Sequence, residues 1–322
     1  MREKTRKAKG YLLLMVVMLL FMCFPLKAED KARKYPEFWL SFAFTSGKIN
    51  VGDINNCITS FNNNELFSYV REFNPEWGKV QGEITPLSGK YTALIVTLFI
   101  DISPNITLCF STQSPVRQSN FSSLIYQYTG SYGIQRASYF YGARYEILFP
   151  LEFMCYFNII ELNRVRFSIG AGSGFYYAKI SKTFIRELMT VNGGYAKATM
   201  KHDAHRFPFP DLIADLNLLT EYSLNNNSFL FSELCFRYGN LSNFRGTGSL
   251  THVINSEVIT DYKWEGSLYF FNIEDQEIGA RYNNIEVWSF IPDASPYFIE
   301  NVRKAKLSLT GFSFRVGLKI RF

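Results

Sequence analysis

Long apolar runs are what this 322-residue chain lacks most. One exists, residues 11–24. Beyond it no segment approaches the roughly 20 apolar residues of a spanning helix. Cysteine is scarce too. The four after residue 28 (Cys57, Cys109, Cys155 and Cys235) form no C-x-x-C pair and have no histidine close in sequence, which argues against zinc or dithiol chemistry. Their spacing suggests no disulfide framework, and they read as small apolar side chains in a wall. Histidine is limited to His202, His205 and His252. Net charge is nearly absent as well. Residues 1–28 hold six basic side chains and one acidic one, and so carry five of the chain's six formal positive charges. The remainder is close to neutral and gives no electrostatic reason to bind nucleic acid. No cofactor motif is present, and no cofactor is expected.

What is there begins with a leader-like segment. Arg2, Lys4, Arg6, Lys7 and Lys9 precede the apolar run, and Leu26-Lys27-Ala28 ends on a small residue. This pattern predicts a cleaved signal peptide over 1–28 and a single domain over 29–322. Aromatics are abundant instead of rare: 31 Phe and 20 Tyr lift them to 17% of the chain. That excess suits the wall and interfacial girdles of a membrane barrel.

The most informative stretch is the last. Phe312, Phe314, Val316, Leu318, Ile320 and Phe322 alternate with Ser313, Arg315, Gly317, Lys319 and Arg321. Leu307 and Leu309 extend the apolar row across a break at Gly311. A period of two is a strand with one greasy and one polar face. The final aromatic fits a membrane–water interface. The same alternation predicts seven earlier strands, at about 38–45, 92–102, 106–116, 144–157, 165–177, 210–224 and 228–240. Ser103-Pro104-Asn105, residues 158–163 and Asn225-Asn226-Asn227 read as short connections. Residues 46–90, 117–143, 181–208 and 241–305 read as long ones, with a short amphipathic helix at 65–73. Within the last, residues 262–290 have strand character and predict either a hairpin above the membrane or two further strands.

Short and long connections thus alternate, as in an even-stranded outer-membrane barrel. The terminal strand and the leader resemble those of small bacterial outer-membrane barrels of the OmpA, OmpX and OmpW type. The resemblance implies an all-β, antiparallel up-and-down transmembrane barrel of eight strands, ten being the alternative, in the outer membrane of a Gram-negative cell. It implies outer-membrane lipids and lipopolysaccharide as surroundings, and periplasmic chaperones and the barrel-assembly machinery as partners in biogenesis. The row from Phe312 to Phe322 would be the assembly signal.

The inward positions predict a charged interior: Asp101, Glu146, Glu152, Asp215, Glu221 and Glu233 with Arg166, Arg237, Arg315, Lys319 and Arg321. Side chains just fill an eight-stranded barrel, so these charges are expected to be paired, with no open conduit. The functional expectation is a structural or surface-interaction protein with an unidentified extracellular ligand. A narrow pore or carrier and a lipid-modifying enzyme are the alternatives. Nothing in the sequence ties a Ser, Asp or Glu to the three histidines, all placed in loops, so catalysis is not expected. His202 and His205 alone do not define a metal site.

Overall fold

The computed structural model describes residues 35–64, 67, 78–130, 133–189, 193–206, 213–275, 280–292 and 299–322. The expected leader at 1–28 lies outside them, as do all residues of the expected 65–73 helix except Phe67. The strands are β1 (Glu37–Ile49), β2 (Gly78–Gly82), β3 (Lys90–Ser103), β4 (Ile106–Gln113), β5 (Val116–Gly130), β6 (Gly133–Leu162), β7 (Val165–Met189), β8 (Tyr195–Arg206) and β9 (Ala214–Asn225). They continue with β10 (Ser228–Tyr238), β11 (Asn240–Leu241), β12 (Arg245–Ile254), β13 (Glu257–Asp275), β14 (Ala280–Trp288), β15 (Ile299–Lys304), β16 (Leu307–Ser308) and β17 (Gly311–Arg321). A helix, α1 (Asp53–Asn62), lies between β1 and β2.

Eight strands close into a barrel in the order β1-β3-β4-β6-β7-β9-β10-β17, each antiparallel to the next. Closure is made by β1, which pairs Leu40 with Ile320 of β17 on one side and with Leu98 of β3 on the other. The barrel therefore has eight strands, and the ten-stranded alternative is not formed. Its exterior is apolar: Phe44, Leu94, Leu216, Leu218, Phe312 and Phe314 are all more than half exposed. Its interior is polar. A soluble barrel would reverse the two faces, because water rewards charge outside and apolar surface inside. This is the arrangement of a transmembrane barrel.

β6 and β7 run for 30 and 25 residues. About 9–11 residues cross the hydrocarbon layer. The surplus rises beyond the outward apolar band, which on β7 ends near Phe175 and Tyr177. There β5 and β2 add to β6, and β8, β12, β13, β14 and β15 add to β7. The segments 117–143, 181–208 and 241–305, expected as loops, are therefore largely strands of an upper storey. They escaped notice because their outer face meets water, so no apolar row marks it. The 262–290 segment forms part of this storey, as the hairpin alternative had it.

Further departures follow from local chemistry. The ladder shifts register between Leu148 and Leu151 of β6, beside Pro150, which has no N–H to donate. Above that irregularity Ile147 points inward and Glu146 outward, the reverse of the expected facing. Leu307 and Leu309 lie inside the upper core, because Leu307 belongs to β16, a strand separate from β17 that pairs β11, and Leu309 follows directly after it. The connection between β6 and β7 is only two residues, with Asn163 at φ 49°. All three histidines lie on strands, two on β8 and one on β12.

Candidate functional site

The barrel interior holds two layers of charge. Strand alternation delivers Glu152 from β6, Asp215 and Asn217 from β9, Glu233 and Arg237 from β10 and Arg315 from β17 to one level. Glu152 is the hub. It accepts from Arg315 Nη2 at 2.7 Å and from Arg237 Nη2. Arg237 Nε donates to Asp215 Oδ1 at 2.8 Å, and Arg315 Nη1 to Glu233 Oε2 at 3.2 Å. Tyr156 O–H and Asn217 Nδ2 both donate to Glu233 Oε1. Gly170 makes this possible: a Cβ there would lie 2.5 Å from the Tyr156 ring.

The second layer sits nearer the short turns. Lys319 Nζ donates to Glu221 Oε1 at 2.8 Å, lies 3.9 Å from Asp101 and stands 4.5 Å from the Phe99 ring centroid. Arg166 lies 3.7 Å from Glu221 and 3.9 Å from Asp101. Aromatic side chains of Trp39, Phe99, Tyr156, Phe229 and Phe231 pack among the charges. Every one of these ionised groups is less than a tenth exposed. Buried charges persist only when paired, and each here has at least one opposite partner.

Two residues expected in this network lie elsewhere. Glu146 faces outward and pairs with Arg117 and, at 3.0 Å, with Arg144. Its facing follows the β6 irregularity. Arg321 is 41% exposed at the mouth, 3.1 Å from Glu37, because β17 ends there. Phe312 to Ile320 of the terminal row face outward. Phe322 is also exposed and donates its N–H to the Phe38 carbonyl at 3.3 Å.

Above the charge layers the interior is apolar. Ile54, Cys57, Ile58 and Phe61 form one stripe of α1, at helical spacing. The stripe packs into a cluster with inward residues of β6 and β7, including Tyr139, Tyr145 and Ile180. Phe61 makes edge contacts with Phe67, Tyr139, Phe184 and Tyr282, at 5.1–5.8 Å between centroids. Asp53 anchors the helix. Its carboxylate accepts from both Arg303 guanidinium nitrogens at 2.6 Å and from the Lys306 N–H at 2.8 Å. The α1 stripe was readable in the sequence, but Gly52-Asp53 looked like a loop.

Beside this cluster lies a second polar group. Lys182 Nζ donates to Asn284 Oδ1 and, at 3.1 Å, to the Ile285 carbonyl. Asn284 and Trp288 donate to Glu286. Burial pushes the Lys182 ammonium below its ordinary range. His202 Nδ1 accepts from the Val287 N–H at 3.3 Å. Burial, then the Lys182 charge, holds the His202 imidazole well below its usual range, so it is neutral. Its neighbour in sequence, His205, faces the other side of the strand and stacks on Tyr177. Alternation on β8 therefore keeps the two histidines from sharing a metal. Among the described residues no cluster of three metal-ligating side chains occurs. The four described cysteines are free.

On the outer face of β8, β12 and β13 is a shallow groove of about 520 Å³, lined by Lys197, Lys201, Lys263, Asp261, Ser249 and Thr251, with Thr199 and Val253.

No protein-family description matches the chain, and no curated protein matches it. Among solved structures it is similar to the outer membrane protease OmpT from Escherichia coli, at 10% identity and a TM-score of 0.25, covering 92% of this chain and 99% of that one. It is also similar to the translocator domain of the autotransporter NalP from Neisseria meningitidis, at 10% identity and a TM-score of 0.20, covering 99% and 96%. At these scores neither likeness carries an argument. The barrel rests on its own closed ladder and the polarity of its two faces.

Proposed function

We propose that this protein is an integral outer-membrane barrel of a Gram-negative cell that acts as a closed, rigid mount for a surface-interaction storey. The observation that carries the reading is the filling of the bore: paired charges at two levels, then an apolar core around α1. A bore filled in this way supports no diffusive path. The short turns would face the periplasm and the upper storey the exterior. The groove lysines favour contact with lipopolysaccharide phosphates. The outward row from Phe312 to Phe322 would engage the assembly machinery and its chaperones.

A narrow pore is the second reading, favoured by one observation. Ser41 Oγ, Thr45 Oγ1 and Arg315 Nε are buried in the bore without a hydrogen-bond partner, as water-lined groups would be. A lipid-modifying enzyme gains no comparable support.

Sidedness tests the first reading. Cysteine is introduced at Ser256, in the β12–β13 turn, or at Asn226, in the β9–β10 turn. Intact cells are then treated with a membrane-impermeant maleimide. Labelling of Ser256→Cys alone is expected. Labelling of Asn226→Cys alone would invert the topology, and labelling of neither would remove the surface role.

A further inference from the structure

We propose that the free edge of β13, over residues 260–265, takes up an extended segment of a partner protein as an added strand, with apolar residues on one face of that segment and basic residues on the other. The inference rests on the surface role above.

β13 is longer than its neighbours allow it to pair. On one side it is matched by β12 from Glu257 to Ser267, and then by β15. On its other side is β14, whose pairing begins only at Ser267, opposite Trp288. Residues 257–265 therefore present N–H and C=O groups with no ladder partner among the described residues, and 260–265 form the regular part of that edge. Such an edge is a template for another strand. The fold treats β14 differently: α1 lies against it, and the Asn283 N–H donates to Ser60 Oγ at 2.9 Å. No Pro or Gly interrupts residues 257–265.

The edge is preformed. Asn255 and Ser256 turn the hairpin with φ of 46° and 75°, the two positive values of a tight two-residue turn. Asn255 then ties the tip to β8: its N–H donates to the Tyr195 carbonyl at 2.9 Å, and its Oδ1 accepts from the Tyr195 N–H at 3.0 Å. Little ordering entropy is left to lose on binding.

The two faces specify the occupant. The β12–β13 ladder shifts register between His252 and Val253, which leaves Ile259 as an extra residue and turns the alternation over. Beyond that bulge Tyr262, 60% exposed, shares one face with Thr260 and Trp264. Asp261, Lys263 and Glu265 lie on the other, two acidic groups to one basic. Cross-strand neighbours interact most strongly as apolar pairs and opposite charges. The complementary strand is therefore apolar opposite Tyr262 and Trp264 and basic opposite Asp261 and Glu265. A second copy fits less well, because self-pairing would set acidic residues against acidic ones.

The test uses the full mature protein in zwitterionic detergent. The probe is a fluorescent, end-capped ten-residue peptide of alternating Val and Lys, read by anisotropy at about 0.15 M salt. Binding is expected, weakened about tenfold or more by Asp261→Lys or Tyr262→Lys. A Val–Glu peptide, and a Val–Lys peptide N-methylated at every residue, should bind at least about tenfold more weakly. Equal binding of the N-methylated peptide would mean that no ladder forms and would overturn the proposal. So would an absence of Val–Lys binding, or self-association that Tyr262→Lys abolishes. In each case Ser256→Cys labelling would still report on the surface role independently.

Discussion

Arg315→Met tests the charge filling of the bore most severely. In the upper layer three carboxylates, Glu152, Asp215 and Glu233, face two guanidiniums, Arg237 and Arg315. The substitution leaves three carboxylates with Arg237 alone. Breaking a buried pair in this way costs about 3–5 kcal/mol. Glu233→Gln alone is milder. Arg315 keeps Glu152, and the amide oxygen keeps an acceptor for Tyr156 and Asn217, so the loss is about 1.5–3 kcal/mol from charge-assisted bonds. In the Arg315→Met background the sign changes. Glu233 is now a carboxylate without its cation, and Glu233→Gln relieves crowding at no further cost. The two substitutions should therefore couple by about 2 kcal/mol. The assay is urea unfolding of protein refolded into lipid vesicles, followed by tryptophan fluorescence. Losses that add within about 0.5 kcal/mol, with Arg315→Met below about 1 kcal/mol, would mean that water solvates each charge separately, and the packed-bore argument would fail.

Phe314 is 51% exposed on the outward face, so Phe314→Arg should cost about 2–4 kcal/mol at mid-bilayer depth while Phe314→Leu folds well; equal folding yields in lipid would reverse the facing. His202 gives a pH signature. Its folded imidazole titrates well below its usual range, whereas the unfolded one takes up a proton near about pH 6.5. The unfolded state then binds more protons, so stability should fall as pH drops below about 6.5, and His202→Gln should flatten that fall. Trp264, 5.9 Å from the His202 ring, supplies the fluorescence readout; identical pH profiles would refute the assignment. Asp53→Asn should loosen α1 by about 1–2 kcal/mol, since Arg303 is partly solvated, and should appear as faster amide exchange at Ile58 and Phe61 with β3 unchanged.

The barrel was legible because lipid writes on every spanning strand. Leu94, Val96, Phe312 and Phe314 must be apolar, and alternation then assigns Asp101, Glu152, Glu233 and Arg315 to the inside without any knowledge of neighbours. The upper storey was not legible because water imposes no such rule. β5 carries Arg117, Ser119, Ser123 and Gln127 outward and reads as loop, although Leu124 and Tyr126 point into a core. Glu146 and Ile147 were inverted by one irregularity at Leu148–Leu151, which flips every side chain beyond it. The pairing within the charge network was beyond the sequence altogether. Glu152 and Arg315 are 163 residues apart, and only the closed ladder brings them to one level.

Single-channel recording of the purified mature protein in planar bilayers tests the closed bore most directly. Two layers of paired charge beneath the α1 core predict a silent bilayer at neutral pH under any moderate voltage. Reproducible conductance steps from the wild type would contradict a filled interior and favour the narrow pore.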